Sequence, residues 1–343
     1  MLFSGLFRKK SAILGVDIGT ANIKIAQISH ESRPVLETYG IVNAGFMLAG
    51  KNHDLAIQKT AEVLKTLLVK AEVNASRCVI SFPNSAVFTS VVVLPKMSEK
   101  DLASSVEFEA KKYVPLPLAE VDLSWSVVDD GVNSDLINQQ ILLTAVPKQV
   151  TLNYMKVFEM AGLTPEVGEI ETLALIRSLI GNQAINCVII DIGAKSTGLN
   201  IIEKGFLRLS RNLNIGGDTI TTKISQSLNI SPQRAEQFKK DFGVNGSTFI
   251  PEVVKPVLDL IKNEVKQLLT IYLSHNIKVE KIILVGGGSH LPGIAEYFKD
   301  LGLTVEMGNP LKMVGYKETL KPVLERYSLS LPIAIGLALR NEQ

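Results

Sequence analysis

The chain has 343 residues, 46% of them apolar and 20% charged, with 36 Lys and Arg against 34 Asp and Glu. That length supports two to three folding units with their own cores, and the near balance of charge offers no broad basic footprint for nucleic acid. Its two cysteines, Cys78 and Cys187, lie beside apolar strand segments and read as buried thiols of a reducing compartment, not as a disulfide framework or a metal cluster.

In chain order, MLFSGLFRKK at 1–10 sets apolar residues ahead of Arg8, Lys9 and Lys10. It is too short to span a bilayer and has its charges in the reverse order of a signal peptide, which leaves a loose leader or a weak contact with an anionic membrane surface. ILGVDIGTANIKIA at 13–26 predicts a β-hairpin around a tight glycine turn, followed by a strand at Leu36 to Val42, a helix at Asp54 to Leu68 and a strand at Arg77 to Phe82. A strand at Phe88 to Leu94, a helix from Ser98 toward Tyr113 stopped by Pro115 and Pro117, and strands at Val121 to Val128 and Gln140 to Val146 predict a small α/β module. Helices follow at Pro147 to Met160, with Gly162 and Pro165 marking the exit, and at Glu171 to Ile180.

CVIIDIGAKSTGLNII at 187–202 then repeats the pattern of the first hairpin. Beyond it, Gly216 and Gly217 permit a turn before a helix starting near Asp218. A second helix, SPQRAEQFKKDFG, puts Glu236 and Lys239 on one face, and KIILVGGGSHLPG at 281–293 runs a strand into Gly286, Gly287, Gly288 and Ser289.

The duplication carries the chemistry. Each turn alone is an ordinary glycine hairpin, but two matched turns, Gly19-Thr20-Ala21-Asn22 and Gly193-Ala194-Lys195-Ser196, can cradle phosphate through backbone N–H groups. Asp17 and Asp191 end the corresponding strands and can hold a hydrated divalent cation between the turns. Lys24 follows the first turn and either approaches phosphate or faces solvent, and Lys195 has the same ambiguity. The helix start at Gly216, Gly217 and Asp218 either faces phosphate or is capped in the ordinary way. The triple glycine suits a flat base-and-sugar platform, with Glu236 and Lys239 flanking the ribose and adenine or simply pairing in solvent. Glu171 begins a helix, where it either stabilises the helix dipole or positions a water. Neither Asp-Ile-Gly segment gives the GxGxxG of a dinucleotide-binding turn, and the scattered histidines offer no triad or metal cluster.

This ordered set resembles the two phosphate motifs and the adenosine motif of the actin, hexokinase and sugar kinase superfamily. FPNSAVFTSVVVLP at 82–95, EFEAKKYVPLPLAEVDLSW at 107–125, TAVPKQVTLNYMKVFEMAGLTP at 144–165 and IAIGLALR at 333–340 extend the resemblance to the PilM family of type IV pilus assembly, a relative of the division protein FtsA. It implies an actin-like, two-lobed α/β fold with duplicated ribonuclease-H-like cores and an inserted small α/β subdomain. The implied parts are a leader at 1–10, a first lobe at 11–83 and 166–185, an inserted partner-binding subdomain at 84–165, and a second lobe at 186–343. The resemblance further implies ATP or ADP with Mg2+, hydrolysis that is slow or absent, and docking of the cytoplasmic N-terminal tail of a PilN-like membrane protein. Other pilus-platform proteins and self-association belong to the same expectation, as does a cytoplasmic location at the inner face of the inner membrane. The alternatives are an FtsA-like division scaffold and a sugar-kinase-type phosphotransferase.

Overall fold

The computed structural model describes residues 12–30, 32–44, 53–128, 137–245, 249–273 and 278–340; the 1–10 leader lies outside them. Strands β1 (Ile13–Ile18), β2 (Asn22–His30) and β3 (Pro34–Asn43) form an antiparallel meander. Helix α1 (His53–Lys70) then returns the chain to β4 (Arg77–Phe82), parallel to β1. The predicted small module follows as β5 (Phe88–Pro95), α2 (Glu99–Tyr113), β6 (Val121–Val128) and β7 (Asn138–Pro147), a separate sheet in the order β5-β7-β6. Helix α3 (Lys148–Ala161) and β8 (Thr164–Ile170) rejoin the first sheet, whose order is β3-β2-β1-β4-β8.

Helix α4 (Glu171–Leu179) leads into the second half. There β9 (Cys187–Ile192), β10 (Thr197–Glu203) and β11 (Phe206–Leu213) repeat the meander, and helices α5 (Gly217–Leu228), α6 (Pro232–Phe242) and α7 (Phe249–Leu273) precede β12 (Lys281–Val285). After α8 (Ile294–Phe298) and β13 (Thr304–Met307), the second sheet reads β11-β10-β9-β12-β13. Its strand directions match the first sheet throughout: two antiparallel pairings, then two parallel ones. The duplication seen in two short hairpins therefore extends over two whole sheets. Helices α9 (Lys321–Tyr327) and α10 (Pro332–Ala338) complete the described chain.

Packing moves two boundaries. Helix α3 falls within the expected 84–165 insert, yet its apolar side chains Val157, Phe158 and Ala161 pack with Leu14 and Val16 of β1 and Leu64 of α1. Its exit through Gly162, at φ 80°, turns the chain directly into β8 beside β4. The module with a core of its own is thus β5 to β7 with α2, where Leu102, Val106 and Ala110 cover Ile141, Leu143 and Ala145. Its other face meets the second half, Leu142 and Val128 packing with Ile202 and Leu207.

The second boundary concerns the expected 186–343 lobe, whose last part crosses back. Leu311, Val314, Leu324 and residues of α10 pack on Ala26, Ile28 and Leu36 of the first sheet. Small residues permit this approach. A Cβ on Gly15 of β1 would stand 2.1 Å from the Ala334 carbonyl oxygen, and one on Gly336 would stand 1.9 Å from the Ala174 carbonyl oxygen of α4. Replacement Gly336→Ala should therefore cost about 1–3 kcal/mol or more in denaturant unfolding, since the backbones must separate to admit the methyl. Gly315→Ala, whose Cβ would meet Val35 at an ordinary 3.6 Å, should stay within about 0.5 kcal/mol.

Candidate functional site between the lobes

Both turns are closed by the same bond. Gly19 N–H donates to the Asn22 carbonyl at 3.0 Å, and Gly193 N–H donates to the Ser196 carbonyl at 2.9 Å. Strand register then makes the two sites differ: Asp17 lies opposite Lys24 across β1 and β2, whereas Asp191 lies opposite Gly198 across β9 and β10. Lys24 Nζ accordingly donates to Asp17 Oδ2 at 2.8 Å, and Ser81 Oγ donates to Asp17 Oδ1 at 3.2 Å. Asp191 has only a glycine facing it, which leaves room.

A cavity of about 970 Å³ lies between the turns. Gly19, Thr20, Ala21, Asn22 and Lys24 form one wall, and Asp191, Gly193, Ala194 and Ser196 form the other. Glu171 closes the floor, its Oε2 accepting from the Asn84 backbone N–H at 2.9 Å, so this carboxyl group does more than cap α4. Gly217, Asp218, Glu236, Lys239 and Gly286 to Gly288 line the outer part. Gly287 is open to the cavity, with nothing within 4 Å of a built Cβ, while a Cβ on Gly286, at φ 85°, would strike Asp191 Oδ1 at 2.3 Å. A flat group can therefore lie over position 287, and only glycine fits at 286.

Four of the sequence-predicted residues stand off the cavity wall. Asp17 is 1% exposed beneath the first turn, and Lys195 points out from the second. The Ser289 hydroxyl donates to the Val285 carbonyl at 2.5 Å. Gly216 packs under the second turn, where a Cβ would meet the Ala194 carbonyl oxygen at 2.5 Å. The start of α5 is spent in the same place: Gly217 and Asp218 donate their N–H groups to the Gly193 and Ala194 carbonyls at 3.0 and 2.8 Å. That helix end braces the turn.

Glu236 and Lys239 lie together, Lys239 Nζ being 2.5 Å from Glu236 Oε2, and Thr221 Oγ1 donating to the same oxygen at 2.6 Å. Burial pushes the Glu236 carboxyl up, but these bonds hold it below its ordinary value and keep it an acceptor. Arg326 and Tyr327 on α9, together with Asn84 and His290, also line the cavity and were not foreseen. LKPVLERY carries neither glycine nor a repeated pattern, so only the fold brings Arg326 and Tyr327 here. Among the described residues no group of three acidic, histidine or cysteine side chains is set to hold a metal ion. A hard cation in this cleft would have two carboxylates within reach, with water and a ligand's own oxygens supplying the remaining positions.

Electrostatics follow from crowding. Burial raises the Glu171 carboxyl to about 8, with Asp17 and Asp191 adding to the rise, and burial raises Asp191 to about 6. For Lys24 burial opposes the charge, yet Asp17 outweighs it and raises its pKa, with smaller contributions from Asp191 and Glu171. The folded protein thus binds protons on Glu171 that the unfolded chain has already released above its ordinary 4.5. Stability should fall as pH rises from about 4.5 to about 8. Thermal melting of Glu171→Gln across this range should show a shallower slope than the unsubstituted protein, with the largest relative gain at the alkaline end.

A family model described as type IV pilus assembly protein PilM matches residues 15–342. Among solved structures, a PilM-PilN type IV pilus biogenesis complex is 26% identical, with a TM-score of 0.86, covering 96% of this chain and 98% of the other. MreB5 of Spiroplasma citri bound to AMPPNP is 15% identical with a TM-score of 0.55 over 95% of this chain and 94% of its own, and supports the actin-like fold alone. Cell division protein FtsA of Streptococcus pneumoniae serotype 2 is 23% identical over 86% of this chain and 75% of its own length. The duplicated sheets, the paired turns and the small module together make an actin-like fold, and the chain belongs to the PilM family of type IV pilus assembly proteins.

Proposed function

We propose that this chain is an ATP-binding scaffold of the type IV pilus assembly platform, and that it docks the cytoplasmic N-terminal tail of a PilN-like membrane protein. The observation that carries the nucleotide half is the cleft itself. Two matched turns face each other across it, Gly287 lies open as a platform, and Glu236 and Lys239 form a polar pair beside it. Phosphates fit between the turns, ribose hydroxyls beside Glu236, and the base over Gly287 near Arg326 and Tyr327. Mg2+ would sit within reach of Asp191, with Asp17 behind it; when bound it supplies positive charge to the phosphates. Lys24 supplies a second positive charge from the first turn. The match of a pilus assembly family model to residues 15–342 favours a scaffold over a sugar-kinase-type transferase. MreB5 crystallised with AMPPNP and with ADP supports a nucleotide of this class.

The partner half rests on the small module. Within it Val93, Phe108, Tyr113, Leu116, Val127 and Ile137 are large apolar side chains left exposed, and Phe108 is 64% exposed at a groove with Leu94, Met97 and Ser105. Such a concentration on one module fits docking of a short segment that orders as it binds. The PilM-PilN complex supports the identity of that segment. No described helix is long and apolar enough to cross a membrane. In this reading the partner's membrane anchor brings the protein to the inner face of the inner membrane.

Calorimetry should show magnesium-dependent ATP binding that falls about 10-fold or more in the double variant Asp17→Ala/Asp191→Ala, with no phosphorylated sugar formed on incubation with hexoses. Undiminished ATP binding in that variant, once melting shows it folded, overturns the assignment. A synthetic PilN-like tail should bind the unsubstituted protein and lose about 10-fold or more in affinity to Phe108→Asp, which replaces an exposed side chain and leaves melting unchanged. Preference for a division-protein tail over the pilus tail would instead favour the FtsA-like reading.

A further inference from the structure

The two halves share a second irregularity besides their turns. Ten residues after Asp17 the pairing of β2 with β3 skips Glu37, and ten residues after Asp191 the pairing of β10 with β11 skips Arg208. Such a bulge leaves its extra residue outside the ladder and re-aims that side chain. In the first half it serves its own sheet: Glu37 Oε2 accepts from Gln27 Nε2 at 2.6 Å, and the same nitrogen donates to Asn74 Oδ1 at 2.8 Å. In the second half it reaches beyond the sheet. Arg208 Nη1 donates to Gln140 Oε1 on β7 of the small module, while Arg208 Nε donates to Glu203 Oε2 at 2.8 Å. The Tyr272 hydroxyl, near the end of α7, donates to that same carboxylate oxygen at 2.7 Å.

These groups fix where the module sits. The Arg208 and Glu203 side chains are 9% and 12% exposed, and Val91, Val128 and Leu142 of the module pack with the neighbouring Ile202, Phe206 and Leu207. A guanidinium held by a carboxylate presents its N–H groups in fixed directions, and a slide of the module along β11 would part donor from acceptor where little water can replace either. Gln140 is paired across the module's sheet with Val93, and the next two rungs pair Leu94 with Gln139 and Pro95 with Asn138. Leu94 and Pro95 line the groove beside Phe108. The contact from the second half thus lands one rung from the groove, on a module whose chain enters and leaves through the first half at β4 and α3.

We propose that Arg208 is a positioning residue through which the second half sets the tail groove, so that the tail and the nucleotide each change the affinity for the other. This rests on the nucleotide and tail readings given above. A nucleotide that touches both turns fixes the separation of the halves at the cleft, and the module spans the same two halves through Gln140. Two ligands that constrain one separation are coupled, and the coupling is reciprocal.

The test is fluorescence anisotropy of a labelled synthetic PilN-like tail, without nucleotide and with saturating ATP and Mg2+, on the unsubstituted protein, Gln140→Ala and Arg208→Lys. Gln140→Ala removes the acceptor and leaves the Arg208 and Glu203 pair whole, so melting should be unchanged; Arg208→Lys keeps the charge beside Glu203 and loses the fork. The two dissociation constants should differ about 5-fold or more in the unsubstituted protein, and calorimetry of ATP with and without the tail should return the same factor. In both variants that factor should fall below about 2-fold, while ATP affinity without the tail stays within about 2-fold of the unsubstituted value. An unchanged factor in either folded variant, or independent binding of tail and ATP to the unsubstituted protein, would overturn the proposal and leave both readings intact. Failure of ATP or of the tail to bind the unsubstituted protein at all would overturn the corresponding reading, and this inference with it.

Discussion

Three carboxyl groups, those of Asp17, Asp191 and Glu171, gather around one ammonium group, that of Lys24, at the floor of the cleft. Charges of one sign brought together in low dielectric repel strongly, and the fold tolerates them only because each is answered in a different way. Asp17 is paired with Lys24 and held by Ser81. Glu171 takes the Asn84 backbone N–H and retains its proton more readily than an exposed acid, while Asp191 is left with the least direct support. The surplus of negative charge sits where the two halves of the molecule meet. A cation that enters there relieves repulsion across the interface.

The duplicated hairpins were legible because the same rule applies twice: alternating apolar residues run into a turn that requires glycine, and each strand ends on an acid. The positions of α1, α2 and the strands of the small module could be read from period alone. Strand β8 escaped because Thr164, Pro165, Glu166 and Gly168 look like an exit loop, and a parallel neighbour is needed to make them a strand. Helix α3 was readable as a helix but not as part of the first core, since an amphipathic face does not announce what it will cover. The cavity positions of Arg326 and Tyr327 depend on a crossing late in the chain.

Symmetry and its violation divide the work. Both sheets share strand order and turn closure, yet where the first half presents Lys24 opposite its aspartate the second presents Gly198. One half therefore contributes charge and the other contributes space. The small module breaks the likeness at larger scale. It interrupts only the first half, keeps a core of its own under α2, and rests its opposite face on β11 of the second half, where Arg208 also bonds Gln140. A module that touches both halves feels any change in the angle between them.

Helix α10 has a consequence for synthesis. Every residue from Pro332 to Ala338 is buried, and it completes the packing of β1 and β2, made some three hundred positions earlier; His30 Nε2 lies 2.8 Å from the Ala338 carbonyl oxygen. A nascent chain leaving the ribosome would carry the Gly15 face of its first sheet uncovered until some three hundred further residues have emerged. Contacts of such long sequence separation form late and slowly, so the early half must wait in a partly open state with apolar surface available to chaperones or to wrong partners. Helix α10 acts as the latch that commits the first lobe.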